Sequence, residues 1–89
     1  MEGTLISDTV VLRDARLELE KALLFAERAA DEAEQARALQ GLGAVAAREG
    51  QRSDALSALD KALQIAERLK LPDVSAIRKD RDTVLSQGQ

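Results

Sequence analysis

Eighty-nine residues make one small domain, and with 13 Lys plus Arg against 16 Asp plus Glu the formal charge is −3. The chain has neither His nor Cys, which removes imidazole and thiolate zinc sites, disulfides, a Cys nucleophile and a Ser-His-Asp relay. An acidic balance argues against general affinity for phosphate backbones, and no stretch approaches the ~20 apolar residues that cross a bilayer, so nucleic acid and membrane are not expected partners and a cytoplasmic location is.

One Pro and five Gly punctuate a chain rich in Ala, Leu, Glu, Arg and Lys, which predicts an all-α fold with no strand. Ser7 reads as an N-cap with a staple between Ile6 and Val11, opening a helix over about 8–30. Asp31 followed by Glu34 has capping-box spacing, and a second helix is expected over 32–49. Gly50 is a stop, and Ser53 with Asp54 a start, for a third helix over 54–70. Pro72 and Asp73 break the chain before a fourth helix over 74–86. Connections this short predict antiparallel hairpins, all within a single domain of residues 1–89.

An internal repeat runs through this pattern. The segment from Asp14 to Arg28 overlays that from Asp54 to Arg68 at an offset of forty, with nine of fifteen positions identical, among them Leu19/Leu59, Ala22/Ala62 and Ala26/Ala66. That exceeds what shared Ala-rich composition supplies, so two copies of one hairpin-building segment are expected to stack side by side. Leu42-Gly43 falls inside the second helix, where Gly costs about 1 kcal/mol relative to Ala. Close approach to Ala55 on the third helix is the expected compensation. Core stripes are expected at Ala36, Leu39, Leu42 and Ala46 on the second helix and at Leu56, Leu59, Leu63 and Ala66 on the third.

Residues 36–65, with Leu42-Gly43, Gly50, Ala55, Leu59 and Ala62-Leu63 at their particular spacing, resemble a tetratricopeptide repeat. Residues 10–31 are similar to the second helix of a preceding repeat and 73–86 to the first helix of a following one. The pattern departs at Ala46 and Arg52, which replace usual aromatics, and at Glu67, which replaces the repeat-ending Pro. These departures fit a longer, Ala-rich variant of about forty residues, and a plain four-helix bundle is the alternative. The resemblance implies a right-handed stack of about four helices whose first helices line a concave, partner-binding face. Carried over position by position, that face comprises Arg37, Gln40, Ala44, Ala47 and Arg48, with Asp80 the counterpart of Gln40. The charged pair Arg37 and Arg48 would suit a peptide carboxylate or acidic side chain. A role in clamping C-terminal carboxylates is disfavoured because the chain lacks Asn.

The first helix is expected to bury a broad face of Val11, Leu12, Ala15, Leu19, Ala22, Leu23, Phe25 and Ala26. Val10, Leu17 and Leu24 lie on roughly the opposite side, seven residues apart, where the other copy carries Gly50, Ser57 and Gln64. Three readings compete for this seam: a tolerated surface patch, a contact with a further part of a longer protein, or self-association into a homo-oligomer.

Catalysis is not expected. The acid pairs Glu18/Glu20, Glu32/Glu34 and Asp80/Asp82 are spaced i, i+2 and point to different sides of a helix, so no general acid-base pair or metal cluster is predicted, and no cofactor. Gly41-Leu42-Gly43 lies within a helix rather than in a phosphate-cradling loop. The sequence therefore suggests a non-catalytic protein-interaction module, an adaptor, scaffold or sensor segment for a protein or peptide. The alternative is a small self-associating structural domain that uses its first helix as the interface.

Overall fold

The computed structural model describes residues 2–87, with side chains from residue 10 onward. Four helices follow one another, α1 (Glu2–Arg28), α2 (Glu32–Arg48), α3 (Arg52–Leu69) and α4 (Val74–Gln87), and no strand occurs among the described residues. The fold is all-α, as the composition requires. Arg68 on the last turn of α3 binds Glu32 on the first turn of α2, and Arg52 at the start of α3 reaches the Leu85 carbonyl near the end of α4. Both contacts fix neighbouring helices as antiparallel.

The helix stops follow from backbone chemistry. At the end of α1 the Asp31 N–H donates to the Ala26 carbonyl across a left-handed Ala30, and at the end of α3 the Leu71 N–H donates to the Ala66 carbonyl across a left-handed Lys70. These two six-residue closures lie forty positions apart, so the repeat extends to the way its helices end. Gly50 (φ +78) closes α2 in the same manner, with the Gln51 N–H donating to the Ala46 carbonyl.

Starts differ more from expectation. α1 begins at Glu2, so Ser7 lies within the helix and does not cap it, and Ile6 of the expected staple falls outside the described side chains. α3 begins at Arg52 behind Gln51, which makes no side-chain cap, so Ser53 and Asp54 lie inside its first turn. The reason is economy of chain: the Gln51 N–H closes α2 while the Gln51 carbonyl already accepts from Ala55, leaving no residue for a loop. Asp31 does cap α2, accepting from the Glu34 N–H at 3.2 Å. Its own N–H is spent on α1, so the capping box is one-sided, and the Glu34 carboxylate turns to Arg37 instead.

The core lies around α3. Ala55, Leu59, Ala62, Leu63 and Ala66 are buried there and pack with Ile77 and Val84 of α4, flanked by Leu39, Ala46 and Leu56. Leu59 is fully buried, a contribution of about 1.5–3 kcal/mol relative to exposure. On α2, Ala36, Ala38, Gly43 and Val45 are buried, a set on two opposite sides at about 100° per residue. Leu39, Leu42 and Ala46 of the expected stripe are only half-buried. Because α2 is sandwiched between α1 and α3, a single apolar stripe is the wrong pattern for it; small residues on both sides allow both helices to approach.

Two leucines at equivalent repeat positions make that approach. A Cβ on Gly41 would stand 2.8 Å from Leu19 Cδ2 of α1, and one on Gly43 would stand 2.7 Å from Leu59 Cγ of α3. The cause of Gly43 is therefore mainly the Leu59 side chain, with the Ala55 carbonyl 3.2 Å away, rather than the small side chain of Ala55.

The two copies do not share surroundings. α3 packs on both α2 and α4, whereas α1 packs on α2 alone. Ala62 is fully buried and its equivalent Ala22 is exposed. The expected core face of α1 is corrected accordingly: Leu12, Ala15, Leu19 and Leu23 are half-buried and Ala26 is buried, but Val11 and Phe25 are 60% and 63% exposed.

Candidate functional site

A helix of small residues set beside a helix it barely touches leaves a furrow. α2 and α4 meet at few points, and between them, over the buried Leu59, lies a cleft of about 210 Å³ lined by Gly43, Ala44, Ala47, Arg48, Asp80 and Thr83. Its floor is shallow because Gly43, Ala44 and Ala47 present little side chain. An adjoining hollow of about 210 Å³ continues past Ala47 to Gly50, Arg52 and Gln87.

Four of the six residues expected on the concave face thus line one cleft: Ala44, Ala47, Arg48 and Asp80. Gln40 stands beside it, its Nε2 donating to Asp80 Oδ2 at 3.1 Å. The two repeat-equivalent positions therefore bind one another and tie α2 to α4. Arg37 is directed away, bound to Glu34 of its own helix and 3.8 Å from Asp73 in the turn before α4. Sequence reasoning omitted Thr83, Val84 and Gln87 from this face. Their signal was present as the i, i+3, i+4, i+7 continuation of Asp80 along α4.

Among the described residues, seven exposed large apolar residues stand outside the core: Val10, Val11, Leu17, Leu24, Phe25, Leu69 and Leu85. The seam residues Val10, Leu17 and Leu24 are 37%, 49% and 44% exposed. On the other side of α2 a hollow of about 460 Å³ opens between α1 and α3, lined by Arg16, Glu20, Glu49 and Asp54. Arg16 binds Glu49 across it at 2.6 Å, so this contact joins α1 to the end of α2. Among the described residues no group of three or more His, Cys, Asp or Glu converges as a metal site would need, and no helix is long and apolar enough to cross a membrane.

The perturbed ionisable groups also belong to the scaffold. The hydrogen bond from Arg68 is the main cause that holds the Glu32 carboxyl below its ordinary 4.5, outweighing an opposing effect of desolvation. The same pairing raises Arg68 further. Neither group is near the cleft residues, so the perturbation marks an inter-helix tie and not a reactive site.

In comparisons with protein-family models, curated proteins and solved structures, nothing matches the chain.

Proposed function

We propose that this chain is a non-catalytic protein-interaction module of tetratricopeptide-like helical hairpins in a right-handed stack, acting in the cytoplasm as an adaptor, scaffold or sensor segment. Its partner is a protein or peptide whose acidic side chain enters the cleft between α2 and α4. The observation that carries the reading is the small-residue floor of Gly43, Ala44 and Ala47 beside the exposed Arg48 guanidinium. A cleft of about 210 Å³ is below the ~300–1,000 Å³ typical of small-molecule sites, yet it admits one or two side chains of an extended peptide. Arg offers a planar fork that pairs two-pronged with a carboxylate. Asp80, already accepting from Gln40, forms an acidic border that favours a partner with a cation next to its acid.

A panel of fluorescent peptides with Asp or Glu flanked by Lys, read by anisotropy, tests this. Binding at micromolar strength is expected, weakened about tenfold or more by Arg48→Glu. Ala44→Leu, which fills the cleft from an exposed position, should abolish it. Peptide binding that survives both substitutions would place the partner elsewhere.

A further inference from the structure

Among the described residues, most of the exposed large apolar side chains belong to the first helix. Of the seven exposed large apolar residues among those described, five (Val10, Val11, Leu17, Leu24 and Phe25) lie on α1. At about 100° per residue they form two adjacent strips, Val10-Leu17-Leu24 and Val11-Phe25, with Asp14 and Lys21 between them. The repeat supplies an internal control. In the second copy, Gly50 just before α3 and Ser57 and Gln64 within it occupy the positions of the first strip, are exposed and carry no apolar side chain, so the packing of such a hairpin does not require apolar residues there. Among the described residues no hairpin mate covers α1 on this side. Where the turn of Glu49 to Gln51 feeds α3, the equivalent stretch of α1 is continuous helix, and α1 packs on α2 alone.

We infer that this face binds the α1 of a second copy of the chain, antiparallel, about a two-fold axis passing near Leu17. A two-fold contact needs a surface that complements itself, so each residue must suit its mirror position. Turned about that axis, each strip meets itself: Val10 falls on Leu24, Leu17 on Leu17, Val11 on Phe25, and between the strips Asp14 falls on Lys21. On the outer border Arg13 falls beside Glu20. Apolar therefore meets apolar at both ends, and Asp14 and Arg13 meet opposite charges, while Glu18, which shares the strip of Val11 and Phe25, lies near its own copy at the axis. Glu18, close to the axis, is 3.5 Å from Lys21 of its own helix. A parallel pair would instead set Asp14 against Asp14 and Lys21 against Lys21 in the middle of the seam, and like charges there oppose association. An anionic membrane surface fits poorly, since Asp14 and Glu18 interrupt the same face. The contact is independent of the cleft between α2 and α4, which lies across the molecule on other helices.

Sedimentation equilibrium of the 89-residue chain, from low micromolar to millimolar concentration, tests this. A reversible monomer–dimer equilibrium is expected. Asp14→Lys and Lys21→Asp should each weaken it about tenfold or more, because each leaves like charges facing across the axis. The double variant restores opposite charges and should return to within about threefold of the parent. All four positions altered by these variants in the dimer are solvent-facing in the single chain, and unchanged far-ultraviolet helicity confirms folding. Orientation has a second readout, because the chain has no native Cys. Val11→Cys mixed with Phe25→Cys should form disulfide-linked heterodimers, and Val11→Cys alone should not. A monomer at every concentration overturns the proposal and leaves the face to a different protein. A dimer indifferent to the single charge variants, not rescued by the double, or cross-linked through Val11→Cys alone overturns it equally.

Discussion

Glycine inside a helix is unfavourable by about 1 kcal/mol relative to Ala, and α2 contains two such residues for reasons that differ in strength. At Gly43 an added Cβ would stand 2.7 Å from Cγ of the fully buried Leu59 and 3.2 Å from a backbone carbonyl. Neither can yield, and overpacking of this kind costs typically 1–3 kcal/mol. Gly43→Ala is therefore expected to destabilise by about 1 kcal/mol net in urea titrations, despite the gain in helix propensity. At Gly41 the atoms in the way are the terminal methyls of Leu19, a half-buried side chain on the open helix α1, which can turn aside. Gly41→Ala should lie within about 0.5 kcal/mol of the parent, and finding the two variants in reverse order would refute this account of the packing. At the sequence level Gly43 was legible as a close-approach position, but its partner was not, because Ala55 and Leu59 lie on the same face of α3 one turn apart.

Helices here are ended by the chain's own carbonyls and tied by exposed ion pairs, and both devices can be probed. Ala30 (φ 53) and Lys70 (φ 57) hold left-handed backbone that a Cβ disfavours, whereas Gly50 occupies the same conformation without that cost. Ala30→Gly and Lys70→Gly should each raise stability by roughly 0.5–1 kcal/mol, and Gly50→Ala should lower it by about 1 kcal/mol. Thermal unfolding in which Ala30→Gly and Lys70→Gly move in opposite directions would break the equivalence of the two helix ends. The Glu32–Arg68 tie between α2 and α3 gives a pH signature. A carboxyl whose pKa is lower folded than unfolded binds fewer protons in the native state. Its contribution is therefore complete above the ordinary value of 4.5 and is lost as the pH falls through the depressed value. Glu32→Gln is expected to flatten the fall in stability below that pH, and the change will be small because both groups are exposed. Identical acid limbs for parent and variant would show that the pair carries nothing.

The molecule measures 44 × 33 × 19 Å, a slab thin enough that its edge helix, α1, is covered from one side only. A small domain buries a modest share of its surface, and a second copy on α1 would add apolar burial that the single chain cannot supply. Such pairing makes the unfolding temperature rise with protein concentration, so the self-association proposed for α1 extends to the stability of the whole protein. Leu17→Glu should remove that dependence while leaving the core around α3 intact.

Helix content, the number of helices and their stops are local matters. Propensity, Gly50 and Pro72 determined them from the sequence alone, because each acts within one or two turns of chain. Burial is not local. Ala22 and Ala62 occupy identical positions of the repeated segment, yet one is exposed and the other fully buried, since α3 has a helix on each side and α1 has one. For the same reason Phe25 and Val11, apolar and correctly spaced for a core, stand in water. The pairing of Gln40 with Asp80 and the turning of Arg37 toward Asp73 likewise depended on how α2 and α4 are set against each other. Tertiary structure alone decided these, because which face of a helix is covered is a property of its neighbours.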